Sequence, residues 1–164
     1  MRYTTRLATR EDIHAIKTIY NQGIDDRIAT LETHHRTTEE MKKWFRNKKE
    51  QHKVIVVTAE NNTVVGWASL NIFNPRKCYD GVADLSVYVE RTMRGKGLGK
   101  ILLNRIIDIA RAYDFHKIVL STFEFNELAQ GLYQAIGFRK VGTYEKQGKL
   151  DGKWVDVTIM EKLI

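Results

Sequence analysis

The chain has one cysteine, Cys78, and one proline, Pro75. A lone thiol cannot close an internal disulfide, so a reducing cytoplasm is the expected compartment. A lone proline, with no Gly/Ser-rich tract, low-complexity run or internal repeat, leaves no evident linker, and residues 1–164 are expected to form a single domain. Apolar runs are short. None reaches the roughly eighteen residues that a membrane-spanning helix requires, and "MRYTTRLATREDI" lacks the apolar stretch of a signal peptide.

Basic residues exceed acidic ones, 27 Lys and Arg against 20 Asp and Glu, a formal charge of +7. Such a balance attracts polyanions: nucleic acid, acidic membranes or a small phosphorylated cofactor. The segment "KKWFRNKKEQHK" (42–53) has the look of a nucleic-acid stripe. However, Met41, Trp44 and Phe45 fall at i, i+3, i+4, so its apolar face is expected to turn inward and its lysines outward.

The pattern of apolar residues predicts eleven elements in the order βααβββαβαββ. "YTTRLA" reads as a strand, and Thr9 with Asp12 opens a helix striped by Ile13, Ile16, Ile19 and Tyr20. Thr37 with Glu40 has the spacing of a capping box for a second helix. "KVIVVTAE" and "TVVGWASLNIF" flank Asn61-Asn62 as a hairpin, and "GVADLSVYVE" is a further strand. Leu98, Leu102, Ile106, Ile109 and Ala110 mark a helix, followed by the strand "HKIVLSTF". "NELAQGLYQAIGF" is a short helix ended by Gly137, and the tail folds back at Asp151-Gly152. The expected class is α/β (α+β), a mixed and mostly antiparallel sheet with one β–α–β passage.

The strongest local signal is "VYVERTMRGKGLGKILL" (87–103). Gly95, Gly97 and Gly99 open conformations closed to other residues and clear side chains from an approaching ligand. The helix behind them presents free N–H groups and the positive end of its dipole, and Arg94, Lys96 and Lys100 add charge. Together they make an anion cradle. It is not a P-loop, because Ile101 follows Lys100 where Ser or Thr would be needed. The dinucleotide pattern G-x-G-x-x-G is also missed, the third glycine arriving one residue early.

Arg94-Gly95-Lys96-Gly97-Leu98-Gly99 matches the R/Q-x-x-G-x-G/A signature of the GNAT-type N-acetyltransferases. "NELAQGLYQAIGF" resembles that family's N-x-x-A-x-x-L-Y-x-x-x-G-F segment through Asn126, Ala129, Tyr133, Gly137 and Phe138. "IYNQGI", "ATLET", "FNPRKCYDGVADLSVYV" and "KQGKLDGKWVDVTIM" are similar to its phosphinothricin and methionine-sulfoximine branch. The resemblance implies a GNAT-like fold with helices on both faces of a twisted sheet, acetyl-coenzyme A as co-substrate, and a small amine acceptor. It also implies a homodimer using the tail.

Residue by residue, the resemblance places the pantetheine arm of the cofactor along Val87, Tyr88 and Val89, where the backbone of Val87 and Val89 would pair with it. An unpaired N–H there would stabilise an oxyanion. Arg94, Gly95, Lys96, Gly97, Leu98, Gly99 and Lys100 would hold the pyrophosphate, and Asn126 would steady the cofactor near its thioester. Tyr133 is the expected acid or hydrogen-bond donor toward the leaving sulfur. Asp84 stands where the branch usually carries Glu, and is the expected base, with Glu90 as fallback; its shorter reach favours a bridging water.

Arg76 is the expected clamp for an acceptor carboxylate, with Phe73 and Tyr79 as pocket walls and Thr30 and Glu32 bordering the acceptor. His34-His35 have no ligand-spaced partners, and no metal site is expected. Cys78 has no orienting histidine and is read as a bystander, and Trp154 and Asp156 fit either the branch pattern or packing and turn roles. Acetylation of a protein N-terminus, a polyamine or an aminoglycoside is the alternative on the same scaffold. A basic nucleic-acid-binding module without catalysis is the alternative from another class.

Overall fold

The computed structural model describes residues 2–164. Its eleven principal elements follow the expected order: β1 (Thr4–Leu7), α1 (Ile13–Asp25), α2 (Thr38–Arg46), β2 (Val54–Thr58), β3 (Val64–Ile72), β4 (Val82–Val89), α3 (Leu98–Ala112), β5 (Lys117–Phe123), α4 (Glu127–Ile136), β6 (Arg139–Leu150) and β7 (Lys153–Leu163). The strands make one sheet in the order β1-β2-β3-β4-β5-β7-β6. Every neighbouring pair is antiparallel except β4–β5.

Strand alternation divides the core in two. Val54 and Val56 of β2, with Trp67 of β3, pack under Ile13, Ile16 and Ile19 of α1 and Met41 of α2. Ile55 and Val57 point the other way, into a larger cluster built on Leu98, Leu102, Leu103, Ile106 and Ala110 of α3. A strand buried on both faces has no polar side to display, which is why "VIVV" runs unbroken. Leu132, Tyr133 and Ile136 of α4 pack against the second cluster.

The caps read from sequence form. Thr37 Oγ1 accepts from the N–H of Glu40 at 3.1 Å, and the Glu40 carboxylate returns a bond to the N–H of Thr37 at 3.2 Å. Thr9 and Asp12 close a short 3-10 turn ahead of α1 rather than capping α1 itself, with the Thr9 N–H donating to Asp12 at 2.8 Å. Asp151 and Gly152 both have positive φ, 51° and 78°, as a two-residue hairpin turn requires. Met41 is buried as α2's periodicity demands, and Trp44 and Phe45 are half-buried. Lys48 departs from the expectation of a solvated run: it turns inward, its ammonium donating to Ser69 Oγ at 2.7 Å and Asn71 Oδ1 at 2.8 Å. No helix among the described residues is long and apolar enough to cross a membrane.

Candidate active site

The parallel pair β4–β5 is the break in the sheet. Its register covers Val82↔Lys117, Ala83↔Ile118 and Asp84↔Val119, and then stops. Beyond that point β4 stays with β3 as far as Gly66↔Val89, while β5 stays with β7 as far as Phe123↔Val157. The two strands splay, and a cleft of about 320 Å³ opens between them. Leu85 to Val89 form one wall and Ser121 and Thr122 the other, with Tyr133 and Asn126 from α4 and Ile28 to Thr30 from the α1–α2 loop.

Backbone direction in β4 follows from two bonds. The N–H of Glu90 donates to Val65 on the β3 side, and the carbonyl of Gly81 accepts from His116 on the β5 side. Since amide direction alternates along a strand, the N–H and C=O of Val87 and Val89 face the cleft, where β5 has left. They are free to take an extended ligand as an added strand.

At the open end of the cleft lies the glycine turn. Gly95 and Gly97 hold φ of +79° and +82°, and a Cβ on either would meet nothing within 4 Å. The conformation requires glycine, and the space above it is open. Gly97 opens α3 with no side-chain cap, which leaves first-turn N–H groups for an anion. Gly99 has a different reason: a Cβ there would lie 2.9 Å from Cδ2 of Leu132, so it lets α4 close on α3. Lys96 and Lys100 are exposed, and Leu98 is buried in the core. Arg94 lines the cleft with its guanidinium 2.7 Å from Asp26, which also holds Arg91 at 2.7 Å. These features fit a pyrophosphate.

Asp84 sits at the apex, the last residue of β4 in register with β5. Its side chain shares the α1–α2 face of the sheet with Asn71, its direct partner on β3, and Ser86. Burial raises its carboxyl to about 6, against the lowering effect of the Asn71 hydrogen bond and the Lys48 charge. A carboxylate with that affinity is ionised at neutral pH and still able to take a proton. Glu90 is committed elsewhere. Desolvation would raise it, but bonds from Thr92 and Gln22 hold it below the usual range, where it caps the turn before Arg94.

Tyr133 lines the cleft with its ring packed edge-on to Phe138 at 5.9 Å. Burial pushes its phenol up to about 12, so it holds its proton throughout the ordinary working range. Tyr88 stacks on Trp67 at 5.0 Å, meets Tyr20 edge-on, and its ring is what a Cβ on Gly23 would strike. It is a packing residue of the cleft wall whose backbone faces β3. Asn126 caps α4, accepting from the Ala129 N–H at 3.1 Å, and its amide donates to the Ile28 carbonyl at 3.3 Å.

The expected acceptor residues are less well gathered. Thr30 lines the cleft and accepts from the Glu32 N–H at 3.1 Å. Glu32 faces away, bonded to Tyr20 and Arg36. Phe73 and Tyr79 meet edge-on at 5.7 Å but border a separate shallow crevice. Arg76 is exposed beside them on the β3–β4 loop, outside the lining of the cleft. His35 pairs with Asp25 at 2.7 Å. A second cavity of about 230 Å³, walled by Tyr20, Arg36, Met41, Trp44, Trp67 and Asn71, shares Ser86 with the cleft. Sequence reading missed Asn71, Ser86 and Lys48. The signal for the first two was polarity at alternate positions inside two apolar strands, and for Lys48 there was none.

The matching family model is the acetyltransferase (GNAT) domain, which spans residues 5–159. YwnH of Bacillus subtilis (strain 168), provisionally named a phosphinothricin acetyltransferase, is 32% identical over 96% of each chain. The L-methionine sulfoximine/L-methionine sulfone acetyltransferase of Pseudomonas aeruginosa (strain PAO1) is 30% identical over 92% of this chain and 88% of its own. A GNAT superfamily phosphinothricin acetyltransferase from Sinorhizobium meliloti, solved in complex with acetyl-coenzyme A, superposes with a TM-score of 0.95 at 27% identity, over 100% of this chain and 89% of its own. The splayed strands, the glycine turn and these likenesses agree: the chain belongs to the GNAT family and is an N-acetyltransferase.

Proposed function

We propose that this chain transfers the acetyl group of acetyl-coenzyme A to the amine of a small amino acid or toxic analogue, of the phosphinothricin or methionine-sulfoximine type, by direct attack in a ternary complex. The observation that carries the reading is the wedge between β4 and β5, with a proton acceptor at its apex and an anion cradle at its mouth. When bound, acetyl-coenzyme A supplies a thioester-activated acetyl group.

The chain's own residues then do four things. Gly95 to Gly99 and the first-turn N–H groups of α3 hold the pyrophosphate. Val87 and Val89 align the amide-bearing arm, and a cleft-facing N–H stabilises negative charge on the acyl oxygen. Asp84 takes the proton of the incoming ammonium; its short side chain favours a bridging water. Tyr133 keeps its proton and donates a hydrogen bond to sulfur as charge collects there. Thr30 borders the acceptor. Arg76 as carboxylate clamp requires the β3–β4 loop to approach the cleft, or a second copy to supply it.

Exposed Val141, Tyr144 and Trp154 on the β6–β7 hairpin support a homodimer through the tail. The single cysteine supports a cytoplasmic setting. The test pairs calorimetry with acetyl-coenzyme A and a thiol-release assay over amino acids and their sulfoximine, sulfone and phosphinic analogues. Failure to bind acetyl-coenzyme A, or turnover confined to polyamines and aminoglycosides, overturns the reading.

A further inference from the structure

Lys48 leaves the chain two residues after α2 and passes beneath the sheet. Its ammonium donates to Ser69 Oγ at 2.7 Å, to Asn71 Oδ1 at 2.8 Å and to the carbonyl of Leu70. All three of its protons are thereby used, on neutral acceptors. Asn71 Oδ1 also accepts from Ser69 Oγ at 2.8 Å, while its Nδ2 donates to Ser86 Oγ at 3.0 Å and to Asp84 Oδ2 at 3.4 Å.

An ammonium can only donate, so Asn71 must turn its oxygen toward Lys48 and its NH₂ toward Asp84. The flipped amide would set NH₂ against ammonium and carbonyl against carboxylate. Burying an ammonium without a direct ion pair is unfavourable, and burial lowers Lys48 to about 8 against the attraction of Asp84. Its bonds tie the α2–β2 connection to β3, and one of the three acceptors, Asn71, is the residue whose amide meets Asp84.

We propose that Lys48 is a positioning residue for the base: through Asn71 it fixes which end of the amide meets Asp84, and its charge favours the carboxylate form. The proposal rests on the reading of Asp84 as base. Other ionisable groups around the two cavities do not take its place. Arg94 is paired with Asp26, and Arg36 with Glu32 and Glu40. Tyr20, Tyr88 and Tyr133 are all raised by burial and stay neutral. Behind Lys48 stand Lys49 and His52, whose imidazole is lowered by burial and by both lysines, with Asp80 opposing.

The experiment is the pH dependence of kcat/KM for the full chain, wild type against Lys48→Met, Asn71→Leu and the double variant, with Asp84→Asn as control. The acidic limb of both single variants is expected to move up by about one pH unit. That is a loss of about tenfold at pH 5 that nearly vanishes at pH 8, with affinity for acetyl-coenzyme A unchanged. The double variant should move further than Asn71→Leu, which keeps the Lys48 charge, but by less than the sum of the two single shifts, since Lys48 acts in part through Asn71. A purely structural lysine would lower turnover equally at every pH. Such a uniform loss, or an unmoved limb, overturns the proposal, and where Asp84→Asn abolishes the limb the base assignment still stands. A limb that survives in Asp84→Asn removes the base reading itself. Should Lys48→Met fail to fold, the limb of Asn71→Leu decides in the same way.

Discussion

Asn126 and Ile28, 98 residues apart, are joined by a single hydrogen bond: the side-chain amide of Asn126 donates to the Ile28 carbonyl at 3.3 Å while its oxygen caps α4. One side chain thus fixes both the helix that carries Tyr133 and the loop that carries Thr30. The two ends of the amide can be tested apart. Asn126→Asp keeps the capping oxygen and loses the donor, so stability should hold while the KM for the acceptor rises. Asn126→Ala loses both, and should lower unfolding free energy by about 1 kcal/mol as well. Denaturant titration beside acceptor kinetics checks this, and equal stability losses in the two variants would contradict it.

Asp84→Asn should reduce turnover by about 10²–10³-fold without weakening acetyl-coenzyme A binding. It should also make the protein more stable above pH 6. The sign follows from the raised carboxyl: the folded state binds the proton more tightly than the unfolded one, so wild-type stability falls as pH rises from about 4, the unfolded value, to about 6. Asparagine has no such dependence. The stability difference should be near zero at pH 4 and reach about 3 kcal/mol by pH 7, the rise of about two units at about 1.4 kcal/mol each, in which the attraction of Lys48 is already contained. Melting curves across that range read it out; a difference that ignores pH would refute it.

Tyr133→Phe should lower kcat roughly 10–100-fold, the worth of a hydrogen bond to a charged group, with unchanged cofactor affinity. With its phenol near 12, no limb below pH 10 should belong to this residue. A wild-type limb in the range 8–9.5 that vanishes in the phenylalanine variant would show that Tyr133 titrates during turnover.

Gly97→Ala and Gly99→Ala should part company. At Gly97 the alanine must hold a φ of +82°, at about 1 kcal/mol, and its methyl enters the open space above the turn. Acetyl-coenzyme A affinity should fall at least tenfold for a small stability loss. At Gly99 the methyl meets Leu132, so the loss should be mainly in packing between α3 and α4. Calorimetry with acetyl-coenzyme A and thermal melts separate the two.

Local physics wrote much of this protein into its sequence. The order of eleven elements, both threonine-anchored motifs, the Asp151-Gly152 turn and the glycine cradle depend on neighbours a few residues apart, where propensity and period act directly. Family motifs pointed to Tyr133 and Asp84, and the fold sets both on the cleft. Long-range pairing was out of reach. That β4 parts from β5 after Asp84 depends on how two separate antiparallel partners pull each strand, and no residue of "VADLSVYV" announces it.

Lys48 marks the boundary most clearly. In sequence it is one cation in a basic run, and its helix pattern sends it to solvent. Only the tertiary arrangement, in which β3 presents a serine, a carbonyl and an asparagine within reach of one flexible stem, makes an interior site for its ammonium. Periodicity describes which way a side chain leaves its own element; what waits for it there belongs to other parts of the chain, so the electrostatic setting of Asp84 was decided by folding alone.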